Sequence, residues 1–338
     1  MTDTTLHPAI RADAREEAAL RDAAIVVERT DRRRWRVAGP KAMDVLNGLV
    51  TNDVTRVAPG SGCYAAALTP KGKVVADLRI FAREGDYLVD TSAAAGVGWA
   101  EILRKYVNPR LAKYEEITDA TADIAVAGPT AAEIIGTALD LDAGTLSGLA
   151  PHAHAELPLG GTTRLLVRTP EIAAPAYDLL VAAEETARVI ALLTQAGGLL
   201  SSLATWEVRR IAAGWPAWGT DMDESTLAQE ASLDARGAIS YDKGCYTGQE
   251  TVARVHFRGH VNRYLRGARY SGDAEIPRGA EIFDPSTGKS VGDVRSSAIS
   301  GRDGGVAIAM VRREITAPAT LRAEWNGAAA DLSLLPES

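Results

Sequence analysis

Residues 37–46 read VAGPKAMDVL and residues 126–135 read VAGPTAAEII. In each copy an apolar strand end meets a glycine turn. A proline then takes the first turn of a helix, where its missing N–H removes no hydrogen bond. Outward from these turns lies a second strand-to-helix unit, DYLVDTSAAAGVGWAEILRKY at 86–106 and YDLLVAAEETARVIALLTQAG at 177–197. Each begins as a short apolar run and continues with apolar spacing near the helical period. Two matched units in the same order predict an internal duplication, hence an α+β fold with two similar lobes. Chance recurrence of a common strand–turn–helix phrase is the competing reading.

The first lobe is expected over 22–115. The second is expected over 120–260, the repeat itself reaching about residue 205 and a long loop completing it, with the lobes interleaved. A helix is predicted for SLATWEVRRIAAG (202–214), with Ser202 as its cap and Gly214–Trp215–Pro216 as its stop. Residues 215–250 are rich in Gly, Asp, Ser and Thr, and a loop this long in a compact chain is usually functional. Residues 265–338 read as β structure, with Pro285–Ser286–Thr287–Gly288 between two short strands and the hairpin signal Asn326–Gly327. An antiparallel barrel or sandwich is the expected closure.

The 338 residues carry 37 basic and 44 acidic side chains, a formal charge of −7. That balance excludes the whole-surface electrostatics of a non-specific nucleic-acid binder and leaves a local basic groove open. No apolar run is long enough for a membrane span. MTDTTLHPAIRADAREEAAL has no apolar core for secretion and too many acids for a mitochondrial presequence, so the cytoplasm is expected. Cys63 and Cys245 are the only cysteines, giving neither a disulfide framework nor a CxxC metal pair.

The densest candidate site is Lys243–Gly244–Cys245–Tyr246–Thr247–Gly248–Gln249–Glu250. Its two glycines permit positive φ and close backbone approach to a ligand. Cys245 lies two residues from the Lys243 ammonium, and cationic neighbours favour the nucleophilic thiolate. One thiol cannot complete an iron–sulfur cluster, which takes four ligands, so no metal site is expected within the chain alone. A turn around a structural cysteine is the alternative. Downstream, TVARVHFRGHVNRYLRGARYS (251–271) contains no acid. Arg254, His256, Arg258 and His260 alternate with Ala253, Val255, Phe257 and Gly259, the period of a half-buried strand. One face would then be basic, either a solvated surface or a seat for a polyanionic tail such as the glutamates of folate. Cys63, in an apolar run, reads as core, and His152 and His154 read as a surface pair rather than a zinc site.

KGCYTGQE, with VAR and FRG after it, resembles the signature of the YgfZ family, relatives of the glycine-cleavage aminomethyltransferases. Eukaryotic members of that family mature mitochondrial iron–sulfur enzymes. LNGLVTNDV (46–54) and TPKGKVVADLRIF (69–81) resemble the first folate-binding lobe, and RRIAAGWPAWGTDMDESTLAQEASL (209–233) resembles the loop leading to the pterin site. SVGDVRSSAIS (290–300) resembles a strand of the C-terminal barrel. The resemblance implies a three-domain ring: two duplicated α+β folate-binding lobes and a C-terminal antiparallel β-barrel around a channel for tetrahydrofolate or a derivative. It places Glu230 against the pterin, a solvent-exposed loop acid being the alternative. Gly244, Tyr246, Gly248, Gln249, Glu250, Arg254 and Arg258 would be the other folate-binding residues, and Cys245, Lys243 and Asp77 the reactive groups. Aminomethyltransferases carry two adjacent aspartates where this chain has Ala76 and Asp77, which weakens the case for aminomethyl transfer. The leading expectation is a folate-binding accessory protein for iron–sulfur cluster assembly or repair, with client or assembly proteins as partners and neither membrane nor specific nucleic acid. A folate-dependent one-carbon transferase and a non-catalytic client-binding adaptor are the alternatives, so whether a reaction is catalysed stays open.

Overall fold

A computed structural model describes residues 10–159 and 162–336 of the chain, so residues 1–9 of the N-terminal reading lie outside it. The first sheet is antiparallel, in the order Gly62–Leu68, Val74–Arg83, Asp86–Ser92, Arg32–Ala38, Lys113–Glu116. Along Val74–Arg83, side chains alternate between faces as a pleat requires. Ala76, Leu78 and Ile80 enter a core shared with Leu46 and Trp99 of the helices Ala42–Leu49 and Ala93–Tyr106. Asp77, Arg79 and Phe81 take the opposite face.

The second sheet runs Leu199–Ser201, Ile25–Glu28, Thr121–Ala127, Ala176–Ala182, Thr162–Arg168, His154–Leu159. Helices Ala131–Leu139 and Thr186–Gln195 cover one face. The duplicated turns have the same backbone: φ is +132° at Gly39 and +134° at Gly128. A Cβ would lie 3.0 Å from Ala112 Cα at Gly39 and 2.3 Å from the Ala23 carbonyl oxygen at Gly128. Only glycine meets both demands. The sheets are interleaved, because Ile25–Glu28 precedes every strand of the first sheet yet pairs in the second, parallel to Leu199–Ser201.

The faces not covered by helices meet. Phe81 and Leu88 pack on Leu165, Val167 and Leu180, and beside them lies a buried ionic network. Arg79 donates to Asp90 at 2.6 Å, to Asp178, and to Asp123 at 3.4 Å, with Glu171 3.5 Å away. Arg32 also meets Asp90 and Glu171, and Arg29 bonds Glu171 at 3.1 Å. Burial, with Asp178 alongside, pushes Asp123 well above the usual carboxylate range. Burial acts on Asp90 in the same sense, but Arg32 and Arg79 hold it below that range.

The C-terminal strands close into a barrel in the order Arg263–Tyr270, Gly304–Arg312, Lys289–Ser300, Glu281–Asp284, Thr320–Trp325, Ala328–Leu334. The Asn326–Gly327 turn takes φ of +46° and +79°, the primed geometry of a two-residue hairpin. Helix Leu203–Ala212 lies against the barrel. Ser202 stands at its N-cap position as expected but makes no side-chain capping bond; its hydroxyl donates to Glu16 at 3.0 Å instead. A central cluster containing Tyr64, Ile211, Leu233, Tyr246 and Ile308 joins sheet, loop and barrel. No helix among the described residues is long and apolar enough to cross a membrane.

The network predicts unequal effects of two substitutions on urea unfolding at pH 7. Arg79→Met leaves several carboxyl groups without their cation and should cost about 3–5 kcal/mol. Asp123→Asn replaces a carboxyl whose folded pKa is raised, so that group favours folding below its unfolded pKa and loses this contribution as pH rises. The asparagine variant should therefore match or exceed the wild type at neutral pH, and equal losses from both changes would contradict the network.

Candidate functional site

The motif loop alternates between anchored and open residues. Lys243 is buried, and its Nζ donates to the carbonyls of Asn47 at 2.5 Å, Val50 at 2.8 Å and Asn52 at 2.7 Å. The first two belong to the C-terminal end of helix Ala42–Leu49, where carbonyls lack intrahelical partners and the dipole is negative. Burial pushes Lys243 down to about 8. Its ammonium therefore ties the motif to the first lobe, which corrects its expected role beside the Cys245 thiol. The cysteine within reach of its field is Cys63, whose thiol burial raises to about 12.

Tyr246 is buried in the central cluster, while Gly244 and Cys245 stand in solvent. Gln249 donates to the Gly244 carbonyl at 3.5 Å and closes the loop. Gly248 has φ +86°, and a Cβ there would lie 2.6 Å from the Thr69 carbonyl oxygen. The segment around Lys71–Gly72 thus presses directly on the motif.

After Gly248 the chain forms a helix, Gln249–Arg258, and not the expected basic strand. Val252 and Val255 are three residues apart, and Val252 reaches the central cluster while Thr251 packs on Gly72. Glu250 in the first turn and His256 and Arg258 in the last complement the helix dipole. Arg254 and Arg258 are exposed on this helix. His256 stacks on Tyr241 at 3.6 Å, with Phe257 edge-on to both.

Glu230 is a buried loop acid rather than an exposed one. Its Oε1 accepts from Arg263 at 3.0 Å and its Oε2 from the Leu227 N–H at 2.8 Å. Asp77 is half-buried on the face between the sheets. Its Oδ2 accepts from the Tyr64 hydroxyl at 2.9 Å, its Oδ1 has no partner, and burial pushes the carboxyl up. Ala76 points the other way, into the helix-covered core. His152 and His154 are buried too, which corrects their expected surface position: His152 stacks on Tyr64 at 6.0 Å and His154 meets Phe81. Burial pushes both imidazoles down to about 4.

Tyr64 also contacts Trp215 at 5.3 Å, and the Arg236 guanidinium lies over the Trp215 ring, 4.7 Å from its centroid. Trp215 and Arg236 line a cleft of about 720 Å³, whose walls include Ile172, Tyr264, Arg266 and Arg313. Neither Glu230 nor residues 243–258 line it. Sequence reasoning names neither Tyr64 nor Arg236 and takes Trp215 only as part of a helix stop and of the 209–233 loop, not as a wall of the site.

The Lys243 anchor is open to test. Lys243→Met leaves three carbonyls without their donor and should cost about 2–3 kcal/mol by urea unfolding. Thermal or chemical stability equal to wild type would show that the loop is held by other contacts.

The model of the GCVT N-terminal domain family matches residues 5–243. A tRNA-modifying protein YgfZ of Edwardsiella ictaluri is 32% identical over 308 residues, covering 89% of this chain and 88% of its own. An aminomethyltransferase of Nostoc sp. is 26% identical and covers 85% of this chain and 76% of its own. Among solved structures, the glycine cleavage system aminomethyltransferase T from Bartonella henselae superposes with a TM-score of 0.82 at 20% identity, over 95% of this chain and 87% of that one. That last likeness is one of fold. The chain belongs to the GCVT N-terminal domain family, as a protein of the YgfZ type.

Proposed function

We propose that this protein binds a reduced folate in the cleft beside Trp215 and serves as an accessory protein in assembly or repair of iron–sulfur clusters. The observation that carries the folate reading is the join between the Tyr64–Asp77 pair and the cleft, made through Trp215. The residues present fit the ligand. The cleft's volume is in the range of small-molecule sites, and Trp215 and Tyr264 give it aromatic walls. The unpartnered Asp77 Oδ1 suits a donor on a pterin edge, and the arginines of the cleft suit glutamate carboxylates. Tetrahydrofolate, when bound, supplies a nitrogen able to carry a one-carbon unit. Glu230 acts in this reading from behind, by fixing the 227–230 turn against Arg263. Asp77 without an acid at 76 supports binding rather than aminomethyl transfer.

The thiol of Cys245 is the second half of the proposal. It stands in solvent on a loop whose neighbours Lys243 and Tyr246 are anchored inside, so it is presented to a partner at fixed orientation. A cluster needs more ligands than one thiol, so the partner must contribute the others. Relatives that carry the name tRNA-modifying protein support a client among the proteins that act on tRNA.

Calorimetry with tetrahydrofolate should give binding in the low-micromolar range or weaker, about −7 to −8 kcal/mol. No methylenetetrahydrofolate should form from a lipoyl-borne aminomethyl group. Absence of heat at millimolar folate would remove the folate reading, and robust product would favour a transferase.

Cys245→Ser should fold and bind folate as wild type yet fail to restore iron–sulfur enzyme activity in a deletion strain. Cys63→Ser should lose some stability, since it puts a hydroxyl in an apolar site, and rescue almost normally. Alkylation should label Cys245 well before Cys63, whose thiol is inside and held at about 12. Full rescue by Cys245→Ser would make the thiol dispensable.

A further inference from the structure

Interior arginines of this molecule are matched to acceptors. Arg29, Arg32, Arg79 and Arg210 each meet a carboxylate. Arg34 places its donors on three oxygens of Thr118 and Thr121. Arg34 keeps one nitrogen, Nη1, without a partner, and half-buried Arg236 is matched more sparsely still. Its Nη2 donates to the Gly214 carbonyl at 2.5 Å, its Nε is buried without a partner, and no carboxylate among the described residues pairs with it. The nearest strong charges include another guanidinium, that of Arg210, already paired with Asp221 and Glu207.

A cation partly withdrawn from water without a counter-charge is costly, and the cost is offset when an anion arrives with two oxygens for the guanidinium fork. Arg236 sits where a ligand can supply them, in the wall of the cleft and against the face of Trp215. Arg313, at the exposed rim of the same cleft, has no ion pair among the described residues either. The rings of Trp215 and Tyr264 line the same cleft. An aromatic ring linked to carboxylates, as in p-aminobenzoylglutamate, matches these features better than a bare heterocycle does.

We propose that Arg236 binds a carboxylate of the ligand, so that the cleft selects folates by their glutamate tail. The inference rests on the folate reading of the cleft and adds a residue and a selectivity to it. Arg236 acts here as a specificity-determining contact and takes no part in bond-making.

The test is calorimetry of wild type, Arg236→Gln and Arg236→Lys with three probes: tetrahydrofolate, p-aminobenzoylglutamate, and 6-methyltetrahydropterin, which lacks the tail. Thermal unfolding confirms that the variants fold. Arg236→Gln should weaken tetrahydrofolate and p-aminobenzoylglutamate by at least about tenfold and leave the tail-less pterin within about twofold. Arg236→Lys should recover part of the loss, since charge remains while the fork is gone. Unchanged tetrahydrofolate affinity in Arg236→Gln, or an equal loss for the tail-less pterin, would overturn the proposal. A wild type that takes p-aminobenzoylglutamate through Arg236 but not tetrahydrofolate would keep the carboxylate contact and sink the folate reading. A wild type that binds none of the three would end both.

Discussion

A guanidinium enclosed by protein must be surrounded by acceptors, and the arrangement of this molecule follows from how that requirement is met at Arg79. Its acids come from separate parts of the chain: Asp90 from its own sheet, Asp123 and Asp178 from the opposite one, Glu171 from a loop. Such a network adds little net stability over an apolar core, but it permits one relative placement of the two sheets. The placement reaches the cleft, because the loop that carries Glu171 continues into Ile172 and Ala173 of the cleft wall. It reaches Tyr64 and Asp77 as well, since they share a sheet face with Arg79.

Two further interior cations extend the same logic. Arg210 bonds Asp221 at 2.8 Å, and Asp221 accepts from Ser296 of the barrel at 2.5 Å, so helix, loop and barrel are tied at one carboxylate. Lys243 ties the motif to the end of a helix in the first lobe with carbonyl acceptors alone. A point charge with three rotatable donors suits a helix terminus, whereas the planar fork of arginine suits carboxylates. Cys245 is therefore held on a frame whose fixed points lie on both sides of it in sequence.

Much of the fold was legible because its strongest signals are local. Gly39 and Gly128 announce a backbone that only glycine adopts, and Asn326–Gly327 announces a hairpin. The segment after Gly248 misled because it carries both periods: its charges alternate, while Val252 and Val255 are spaced for a helix. Its docking on Gly72, far away in sequence, decides between them. The same holds for the site. Lys243 pairs with carbonyls nearly two hundred residues earlier, and Glu230 pairs with Arg263. His152 and His154 are covered by Tyr64 and Phe81 of the other sheet. No neighbouring residue encodes such partners, because they are set by how separate elements come to rest.

The strand Ile25–Glu28 has a consequence for how the chain is made. It leaves the ribosome before any strand of the first sheet, yet both of its neighbours, Thr121–Ala127 and Leu199–Ser201, are synthesised much later. At ordinary elongation rates it waits on the order of ten seconds or more, an apolar segment with two open edges. The first sheet can assemble during that interval, whereas the second cannot be completed until residue 201 has emerged. Nascent chains of this protein therefore spend much of translation as one finished sheet with an unpaired strand ahead of it, the form in which a chaperone would meet them.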